Sequence, residues 1–471
     1  MSNRKAARVG NSASEAADMH ISVGALAKSG VVAIVIKFAS AGLAFLMFVV
    51  MAMVTDERQF GLFSATYAGA SLVSFFASVG QQATVLRFWP QYAGNGDLNA
   101  AHGIMVRAIL VTLAGLVVSS LLVLLVGFLP FAGETTPEWL PLCLAAALLS
   151  FALGWSEFSS GAFRAKNVLV MGLLPRDIVW RAATIAAVLA LHFAHIKISA
   201  VAATYLTAAL LVLSVVPQTV TLLRETFCAE SGPLTEKQKQ EFKTVTLGLW
   251  GVTSLPPALG QVSTLLVAAI LGPEIAGAIF VAERTTRFVA LALNGINQAL
   301  APQISAAFYS GDRAHVQRIT SLAALGGFAM GLLVLILFWA FGGLILSLFN
   351  PAYATPTLRA TLVIFGIGAA FGTACGPIEV LLQLTGLQHE LFKLLVIVNI
   401  AGLSVTALAT YLLGPIGAAI GIAGTVIAWT AFGVVIARRR IGINPSILGF
   451  LTAAGEAPDA GAPGALARGR M

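Results

Sequence analysis

Residues 26–53 read LAKSGVVAIVIKFASAGLAFLMFVVMAM, and from residue 31 onward the stretch contains a single charged side chain, Lys37. About 20 apolar residues are enough for an α-helix to cross a bilayer. A charge near the middle of such a helix is costly, so it usually faces a polar cavity or a partner group. Arg284 and Arg287 lie in a second stretch of this kind. The three cations indicate a polytopic membrane protein with an interior suited to anions.

The composition supports a membrane protein independently of any motif. Hydrophobic residues make up 58% of the chain and charged residues only 10%, and the mean hydropathy is +0.90. A soluble domain with these values would have too little polar surface to cover itself. The net charge of +8 does not indicate a nucleic-acid partner, because the basic residues are scattered between apolar stretches and form no continuous basic face.

Apolar stretches long enough to span a bilayer recur along the whole chain. They predict an all-α protein of about twelve transmembrane helices, at residues 26–53, 61–86, 103–129, 138–160, 172–194, 198–222, 245–271, 275–301, 318–349, 358–384, 391–413 and 415–437.

The loops between these spans alternate in charge, and this alternation predicts the topology. One set is rich in Lys and Arg, and the positive-inside rule places that set in the cytoplasm. Both termini are then cytoplasmic, and no cleaved leader is expected. The basic set contains Arg4, Lys5, Arg8, Arg164, Lys166, Arg224, Lys237, Lys239, Lys243, Arg313, Arg318, Arg438, Arg439 and Arg440.

The polar loop at residues 224–244 divides the predicted spans into two lobes of six, at residues 23–223 and 245–440. Residues 1–22 form a cytoplasmic N-terminal segment, and residues 441–471, rich in Ala, Gly and Pro, are expected to be disordered. An offset of about 216 residues aligns Phe60-Gly61 with Ala276-Gly277 and Gln82 with Gln298. The alignment predicts two repeats related by an axis along the membrane normal.

Helical spacing indicates which residues could line a cleft between the lobes. Polar side chains recur at steps of three and four in the second, seventh and eighth spans. The Ser and Thr positions have an alternative explanation, because small hydroxylated residues are common where membrane helices pack closely. The predicted substrate-binding residues of the lumen are Lys37, Tyr67, Gln81, Gln261, Arg284, Arg287, Asn294 and Gln298.

Acidic residues inside the spans offer partners for some of these cations and are candidates for ion coupling. They are Glu157, Asp177, Glu283 and Glu379. Glu283 and Arg287 stand at i and i+4, as do Asp177 and Arg181, so both pairs are predicted to form within one helix. Lys37 and Arg284 have no acid at such spacing. We therefore expect at least one of Lys37 and Arg284 to contact the substrate. The alternatives are snorkelling of the side chain to the interface and a distant structural partner.

No metal site or cofactor is predicted. The three cysteines are far apart in sequence and match no metal-ligand spacing. His192 and His195 lie near an outer interface without acidic companions, which is typical of solvated histidines rather than of metal ligands. Helix-breaking pairs, Pro256-Pro257, Gly376-Pro377 and Gly414-Pro415, predict kinks.

Several motifs carry a family resemblance that extends from about Leu26 to Arg440. The run from Phe60-Gly61-Leu62-Phe63 through Phe88-Trp89-Pro90-Gln91-Tyr92 resembles the opening of the polysaccharide (O-antigen, Wzx-type) flippases. The runs Leu271-Gly272-Pro273-Glu274 and Ala301-Pro302-Gln303-Ile304-Ser305, and the motif Gly376-Pro377, are similar to the second lobe of that family.

This resemblance implies the V-shaped, two-lobed fold of the multidrug/oligosaccharidyl-lipid/polysaccharide (MOP) superfamily. It also implies translocation of polyprenyl-pyrophosphate-linked oligosaccharide repeat units across the bacterial inner membrane, for O-antigen, capsule or exopolysaccharide synthesis. A polysaccharide polymerase and a chain-length regulator are the expected protein partners. Peptidoglycan-precursor flippases, which have several arginines in the first two spans, fit less well, because this chain has Lys37 there and Arg87 only at the inner end.

Two other functions stay open at this point. A cation-coupled drug or metabolite antiporter of the MATE type would use intramembrane acids, and the four acids above could serve. A membrane polysaccharide polymerase or ligase would need a sizeable outer loop, whereas the predicted outer loops at 130–137 and 350–357 are short.

Overall fold

The computed structural model describes residues 35–128, 138–228, 232 and 234–452 of the chain, and almost all of these are helical. The helices, in chain order, are α1 (Val35–Val54), α2 (Glu57–Ala77), α3 (Gln81–Gly94), α4 (Leu98–Gly127), α5 (Trp139–Ala165), α6 (Leu169–Leu174), α7 (Trp180–Phe193), α8 (Ala200–Phe227), α9 (Glu236–Leu271), α10 (Pro273–Tyr309), α11 (Arg313–Ser347), α12 (Pro356–Ala374), α13 (Ile378–Leu384), α14 (Gln388–Ile441) and α15 (Gly449–Thr452). A π-helical turn, Pro175–Val179, joins α6 to α7, and a 3₁₀ turn, Pro351–Tyr353, precedes α12.

Within the described residues, which exclude 26–34 of the first predicted span and 129 of the third, the predicted spans coincide with helical structure, so the all-α membrane fold is confirmed. Within the described residues, eight helices are long and apolar enough to cross a membrane, or nine if α9 is counted as one bent span. Helix α14 has 54 residues and is interrupted at Gly414, so it covers two predicted spans. Helix α10 is not among the eight, and it contains Glu283, Arg284 and Arg287. The exact number of spans and the side of the termini stay predictions.

Breaks in the helices occur where Pro and Gly predict them. Helix α9 bends by 42° between Leu255 and Pro257. Gly376, at φ 79°, separates α12 from α13. Gly414 adopts φ 62° and ψ −138°, a region that is essentially restricted to glycine. The π-helical turn in the fifth span was not predicted, and it places Asp177 in the protein interior.

We expect Gly414→Ala to lower the free energy of unfolding by about 1–3 kcal/mol, because only the backbone conformation opposes the new Cβ. No atom lies within 4 Å of that Cβ position. Gly424→Ala is the matched control, since its Cβ also meets nothing within 4 Å and Gly424 is helical. Thermal unfolding of the purified variants in detergent should show a lower midpoint for Gly414→Ala alone. Equal midpoints for the two variants would contradict the assigned strain.

The end of the molecule with the connections at residues 55–56, 194–199, 272 and 348–355 is called the outer end here, following the predicted topology. At this end α2 and α10 touch through backbone. A Cβ on Gly61 would lie 1.9 Å from the Pro273 carbonyl oxygen, and one on Gly277 would lie 2.9 Å from the Gly61 Cα. Only glycine permits this approach. The first and second halves of the chain are therefore in direct contact at the outer end.

A layer of aromatic side chains joins the two halves beside this glycine contact. Its ring pairs are Phe45 with Phe349 (5.5 Å between centroids), Phe48 with Phe280 (4.9 Å), Phe60 with Phe280 (6.5 Å) and Phe60 with Tyr353 (6.4 Å). We call these six residues the outer aromatic layer. Edge-to-face pairs at such distances stabilise beyond their buried area.

Tyr353, in the connection between α11 and α12, contributes one ring to the outer aromatic layer. Its side chain is buried and its hydroxyl has no hydrogen-bond partner among the described residues. Burial raises the pKa of this phenol well above its ordinary value, and the carboxylates of Glu57, Asp56 and Glu274 raise it further. The neutral phenol is therefore the form present at the outer end.

The chain turns back after α14 and packs against the inner end of the second half. Gly442 ends α14 in the left-handed conformation. Gln317 Oε1 accepts a hydrogen bond from the Asn444 amide at 2.7 Å, and the Ile447 amide donates to the Ala374 carbonyl at 2.9 Å. We call residues 442–452 the C-terminal clasp. The sequence placed them in a disordered tail, of which residues 453–471 lie outside the described residues.

Candidate functional site: a central cluster of cations

Lys37 and Asp177 form an ion pair between α1 and the π-helical turn. The Lys37 Nζ to Asp177 Oδ2 distance is 2.6 Å, and the Lys37 side chain is 53% exposed whereas that of Asp177 is 4% exposed. The expected partner of Asp177 was Arg181, and this expectation was wrong among the described contacts. A π turn changes the number of residues per turn, and here the Arg181 guanidinium meets the Asp177 backbone carbonyl rather than its carboxylate.

Arg181 instead binds backbone and a hydroxyl group. Its Nη1 donates to the Ser40 carbonyl and to the Asp177 carbonyl, both at 3.0 Å, and to the Ser40 hydroxyl. Its Nε is buried without a partner in the described structure. No described carboxylate lies within ion-pair distance of Arg181, although the Asp177 carboxylate acts on its charge from farther away.

Arg176, on the same turn, was not predicted as a site residue. It pairs with Glu157 of α5, and its Nη1 lies 3.9 Å from Asp177 Oδ1. Arg164 is 3.9 Å from the other Glu157 oxygen. Glu157, one of the four predicted ion-coupling acids, is thus held by two arginines. Pro175, inside an apolar span, was the signal that could have drawn attention to this turn.

On α10 the predicted pair of Glu283 and Arg287 is confirmed. Arg287 Nη2 lies 2.5 Å from Glu283 Oε1, with side-chain exposures of 48% and 10%. Arg287 also lies against Gly260 of α9, where a Cβ would be 3.2 Å from Nη2. The pair is therefore placed between two helices of the second half, with the guanidinium accessible.

Arg284 is different, because it makes neither an ion pair nor a hydrogen bond with the described residues. Its guanidinium carbon lies 5.3 Å from the ring centroid of Phe48 on α1 and 4.8 Å from that of Phe280 on α10. Both distances fall within the range of cation–π interaction. Such contacts stabilise the cation only weakly, and the hydrogen-bonding capacity of the guanidinium remains available.

These side chains form one electrostatic cluster. Asp177 attracts both Arg176 and Arg181, and Arg284 interacts with Arg181, Arg287 and Glu283. We call the following five residues the central cation cluster: Lys37, Arg176, Arg181, Arg284 and Arg287. Asp177, Glu157 and Glu283 each offset one of these cations. Arg181 and Arg284, one from each half of the chain, have no carboxylate within ion-pair distance among the described residues, and Asp177 and Glu283 act on them only from farther away.

The other predicted lumen residues do not all line one cavity. Tyr67 packs edge-to-face on Phe48 at 5.1 Å, next to the cluster. Gln81 is fully buried, and its Nε2 donates to Thr246 of α9 at 3.3 Å, so it joins two helices rather than lining a cavity. Gln261 is buried as well. The side chains of Asn294 and Gln298 lie outside the described residues.

The serines of the second span have the packing role that the sequence left open. Ser64, Ser74 and Ser78 are buried, and each donates to a carbonyl three residues earlier in its own helix. Glu379 accepts a hydrogen bond from Gln383 at 3.2 Å and is not part of the central cation cluster. Its predicted role in ion coupling has no support from this contact.

A cavity of about 420 Å³ lies within the second half, between α9, α10, α11, α12 and α14. Its wall contains the Glu283–Arg287 pair, Asn297 and Glu379 among mostly apolar side chains such as Trp429. In the part of the chain that the structure describes, no group of three or more His, Cys, Asp or Glu residues could hold a metal ion.

Comparison with solved structures identifies the fold. The chain is similar to the inward-facing conformation of a multidrug resistance MATE family transporter of the MOP superfamily, with a TM-score of 0.66 at 16% identity over 86% of this chain and 94% of that one. The outward-facing conformation of a MATE transporter gives 0.59 at 17% identity, over 88% and 96%. A MOP superfamily transporter from Pyrococcus furiosus gives 0.58 at 16% identity, over 87% and 95%.

The sequence comparisons assign the family. No curated protein sequence matches this chain. Residues 26–308 match the family model described as "Polysaccharide biosynthesis protein". That range covers more than half of the chain and includes every member of the central cation cluster. The chain is therefore a multi-pass membrane protein that belongs to the polysaccharide biosynthesis protein family, on the fold of MOP superfamily transporters.

Proposed function

We propose that the protein is a flippase that moves polyprenyl-pyrophosphate-linked oligosaccharide repeat units from the inner to the outer leaflet of the bacterial inner membrane, for cell-surface polysaccharide synthesis. The observation that carries the proposal is that Arg181 and Arg284, one from each half of the chain, lie in the central cation cluster and form no ion pair with the described residues. Family membership supports the polysaccharide pathway.

The chemistry of a pyrophosphate matches this cluster. A guanidinium is planar, stays charged and donates paired hydrogen bonds that fit phosphate oxygens. In an interior of low dielectric constant, the attraction between the cluster and a multiply charged headgroup is much stronger than in water. Because the two arginines come from different halves of the chain, one headgroup could contact both lobes.

The cluster also bears on the antiporter alternative. An exporter of organic cations would need accessible acids, yet Asp177, Glu157 and Glu283 are each engaged by a Lys or Arg side chain. The Pyrococcus furiosus protein is reported to have a binding pocket of reverse polarity that suggests a different function. The MOP fold is thus compatible with more than one lumen polarity, and the charges here favour an anion.

An enzyme is the weaker alternative, since the family and the fold are those of transporters. The outer connections within the described residues, such as 194–199 and 348–355, are too short to form a catalytic domain. We retain a polysaccharide polymerase and a chain-length regulator as proposed partners that act on the translocated lipid.

Complementation of a strain that lacks the protein tests the proposal. We expect lipid-linked oligosaccharide to accumulate in the inner leaflet, and wild type to relieve this accumulation. Arg284→Ala should fail at matched membrane abundance, because losing a charge-assisted hydrogen bond costs about 2 kcal/mol, or roughly thirtyfold in binding. Arg318→Ala is the control, since Arg318 is an exposed arginine at the inner end of α11.

Two results would contradict the proposal. Equal rescue by Arg284→Ala and wild type would remove the role of the central cation cluster. Absence of accumulation in the deletion strain, together with altered sensitivity to cationic drugs, would favour the antiporter.

A further inference from the structure

The side chain of Arg284 connects the central cation cluster with the outer aromatic layer. It belongs to the central cation cluster through its interactions with Arg181 and Arg287. It also rests on Phe48 and Phe280, whose rings pack edge-to-face at 4.9 Å and come from different halves of the chain. These two rings are part of the outer aromatic layer. Arg284 is thus the one member of the cluster, among the described residues, with a cation–π contact to that layer.

The other members of the cluster are fixed by stronger contacts. Lys37 and Arg287 each form an ion pair at 2.6 and 2.5 Å, Arg176 pairs with Glu157, and Arg181 donates to the Ser40 and Asp177 carbonyls. Arg284 has no ion pair or hydrogen bond within the described structure, only its two aromatic contacts and the longer-range attraction of Glu283. It is therefore the cation that can move at the lowest cost when an anion arrives.

We propose that Arg284 couples anion binding to opening of the outer end: an anion bound in the central cation cluster draws the guanidinium away from Phe48 and Phe280, and the contact between the halves weakens. The proposal rests on the proposed function in one respect, the binding of an anionic headgroup. Hydrogen bonds from a guanidinium to phosphate oxygens are stronger than a cation–π contact at a partly exposed site. Arg284 therefore binds the anion in preference to the two aromatic rings.

Linkage gives this proposal a distinctive consequence. If the aromatic rings and the anion compete for Arg284, weakening the aromatic contact must strengthen anion binding by the same factor. A purely structural role for the rings predicts no such gain. Phe48→Leu removes one ring while keeping an apolar side chain.

Phe63→Leu is the matched control. Phe63 is fully buried, lies in the same hydrophobic cluster, and has its ring 6.3 Å from Phe48 and 6.2 Å from Tyr67. No cation–π contact links it to an arginine among the described residues. Both substitutions remove an aromatic ring from the interior, so a general loosening of packing would affect both.

The first measurement is the affinity of full-length protein in lipid nanodiscs for inorganic pyrophosphate, by calorimetric titration. We expect Phe48→Leu to bind about two- to fivefold more tightly than wild type, and Phe63→Leu to bind as wild type does. Arg284→Gln should bind at least tenfold more weakly. Equal affinities for the two phenylalanine variants would overturn the coupling while leaving the anion site in place.

The second measurement follows the outer end directly. Spin labels on cysteines introduced at Arg58 and Thr357, both exposed at that end, report its opening in a background without the native cysteines. Pyrophosphate should lengthen the distance in wild type and leave it unchanged in Arg284→Gln. Phe48→Leu should show part of the lengthening without pyrophosphate.

The outcomes separate this proposal from the proposed function. Binding of pyrophosphate by wild type without any change in distance, or an equal change in Arg284→Gln, would overturn the coupling alone. No binding to wild type at millimolar pyrophosphate would overturn the anion site itself, and the coupling with it. Should Arg284→Gln be poorly folded, Arg284→Lys replaces it, and we expect a reduced change in distance from that variant.

Discussion

Lys37→Ala should remove most of the folded protein from the membrane, and adding Asp177→Asn should restore it. Lys37→Ala leaves the buried Asp177 carboxylate without its partner at 2.6 Å. Breaking a buried pair costs about 3–5 kcal/mol, and we expect the low end of this range because Arg176 remains 3.9 Å from the second carboxylate oxygen. Membrane abundance and the thermal unfolding midpoint of the two variants measure the effect.

The double variant also separates stability from substrate contact. Asp177→Asn alone should be tolerated, since the Lys37 side chain is 53% exposed and can be solvated. If Lys37 contributes chiefly through Asp177, the double variant should regain transport as well as abundance. Restored abundance without transport would assign Lys37 a direct contact with substrate. Failure of Asp177→Asn to restore abundance would contradict the structural role of the pair.

Gly61→Ala should reduce transport roughly thirtyfold while the protein still reaches the membrane. The new Cβ would lie 1.9 Å from the Pro273 carbonyl oxygen, so α2 and α10 must separate at the outer end. Overpacking of this kind costs about 2 kcal/mol. The closed outer end is then depopulated, and with it the state that receives substrate from the inner leaflet.

Gly69→Ala provides the control on the same helix, because its Cβ would meet Leu265 at an ordinary 3.7 Å. Rescue of lipid-linked oligosaccharide accumulation and the reactivity of a cysteine at position 58 report transport and outer accessibility. We expect higher reactivity and low transport for Gly61→Ala, and wild-type values for Gly69→Ala. Normal transport by Gly61→Ala would show that the glycine contact opens without cost.

The features that local sequence encodes were predicted well. Apolar length predicted the helical character of the spans wherever the structure describes them, and Pro256-Pro257 and Gly376-Pro377 predicted breaks that the structure contains. The pair of Glu283 and Arg287 follows from helical spacing alone. The repeat offset of about 216 residues places Gly61 opposite Gly277, and these two residues touch. The relation of the two halves by a pseudo-two-fold axis stays a prediction.

The features that depend on distant residues were not predictable in the same way. Lys37 and Asp177 are separated by 140 positions, so no spacing rule connects them. The π-helical turn lies where Arg181 binds the Asp177 backbone carbonyl rather than its carboxylate, and where Arg176 pairs with Glu157. Gln81 was predicted to line the lumen because it belongs to the polar stripe of the second span. It binds Thr246 of α9 instead, since a polar stripe can pack against another helix as readily as it faces water.

The C-terminal clasp has a practical consequence for how the protein is handled. Pro445 contributes a carbonyl that fills the space beside Gly376, and Gln317 holds Asn444 through two hydrogen bonds. A purification tag or fluorescent reporter fused directly after Ile441 would sever these contacts at the break between α12 and α13. Fusion after Thr452 keeps them, so the choice of junction decides whether the reporter follows the intact protein.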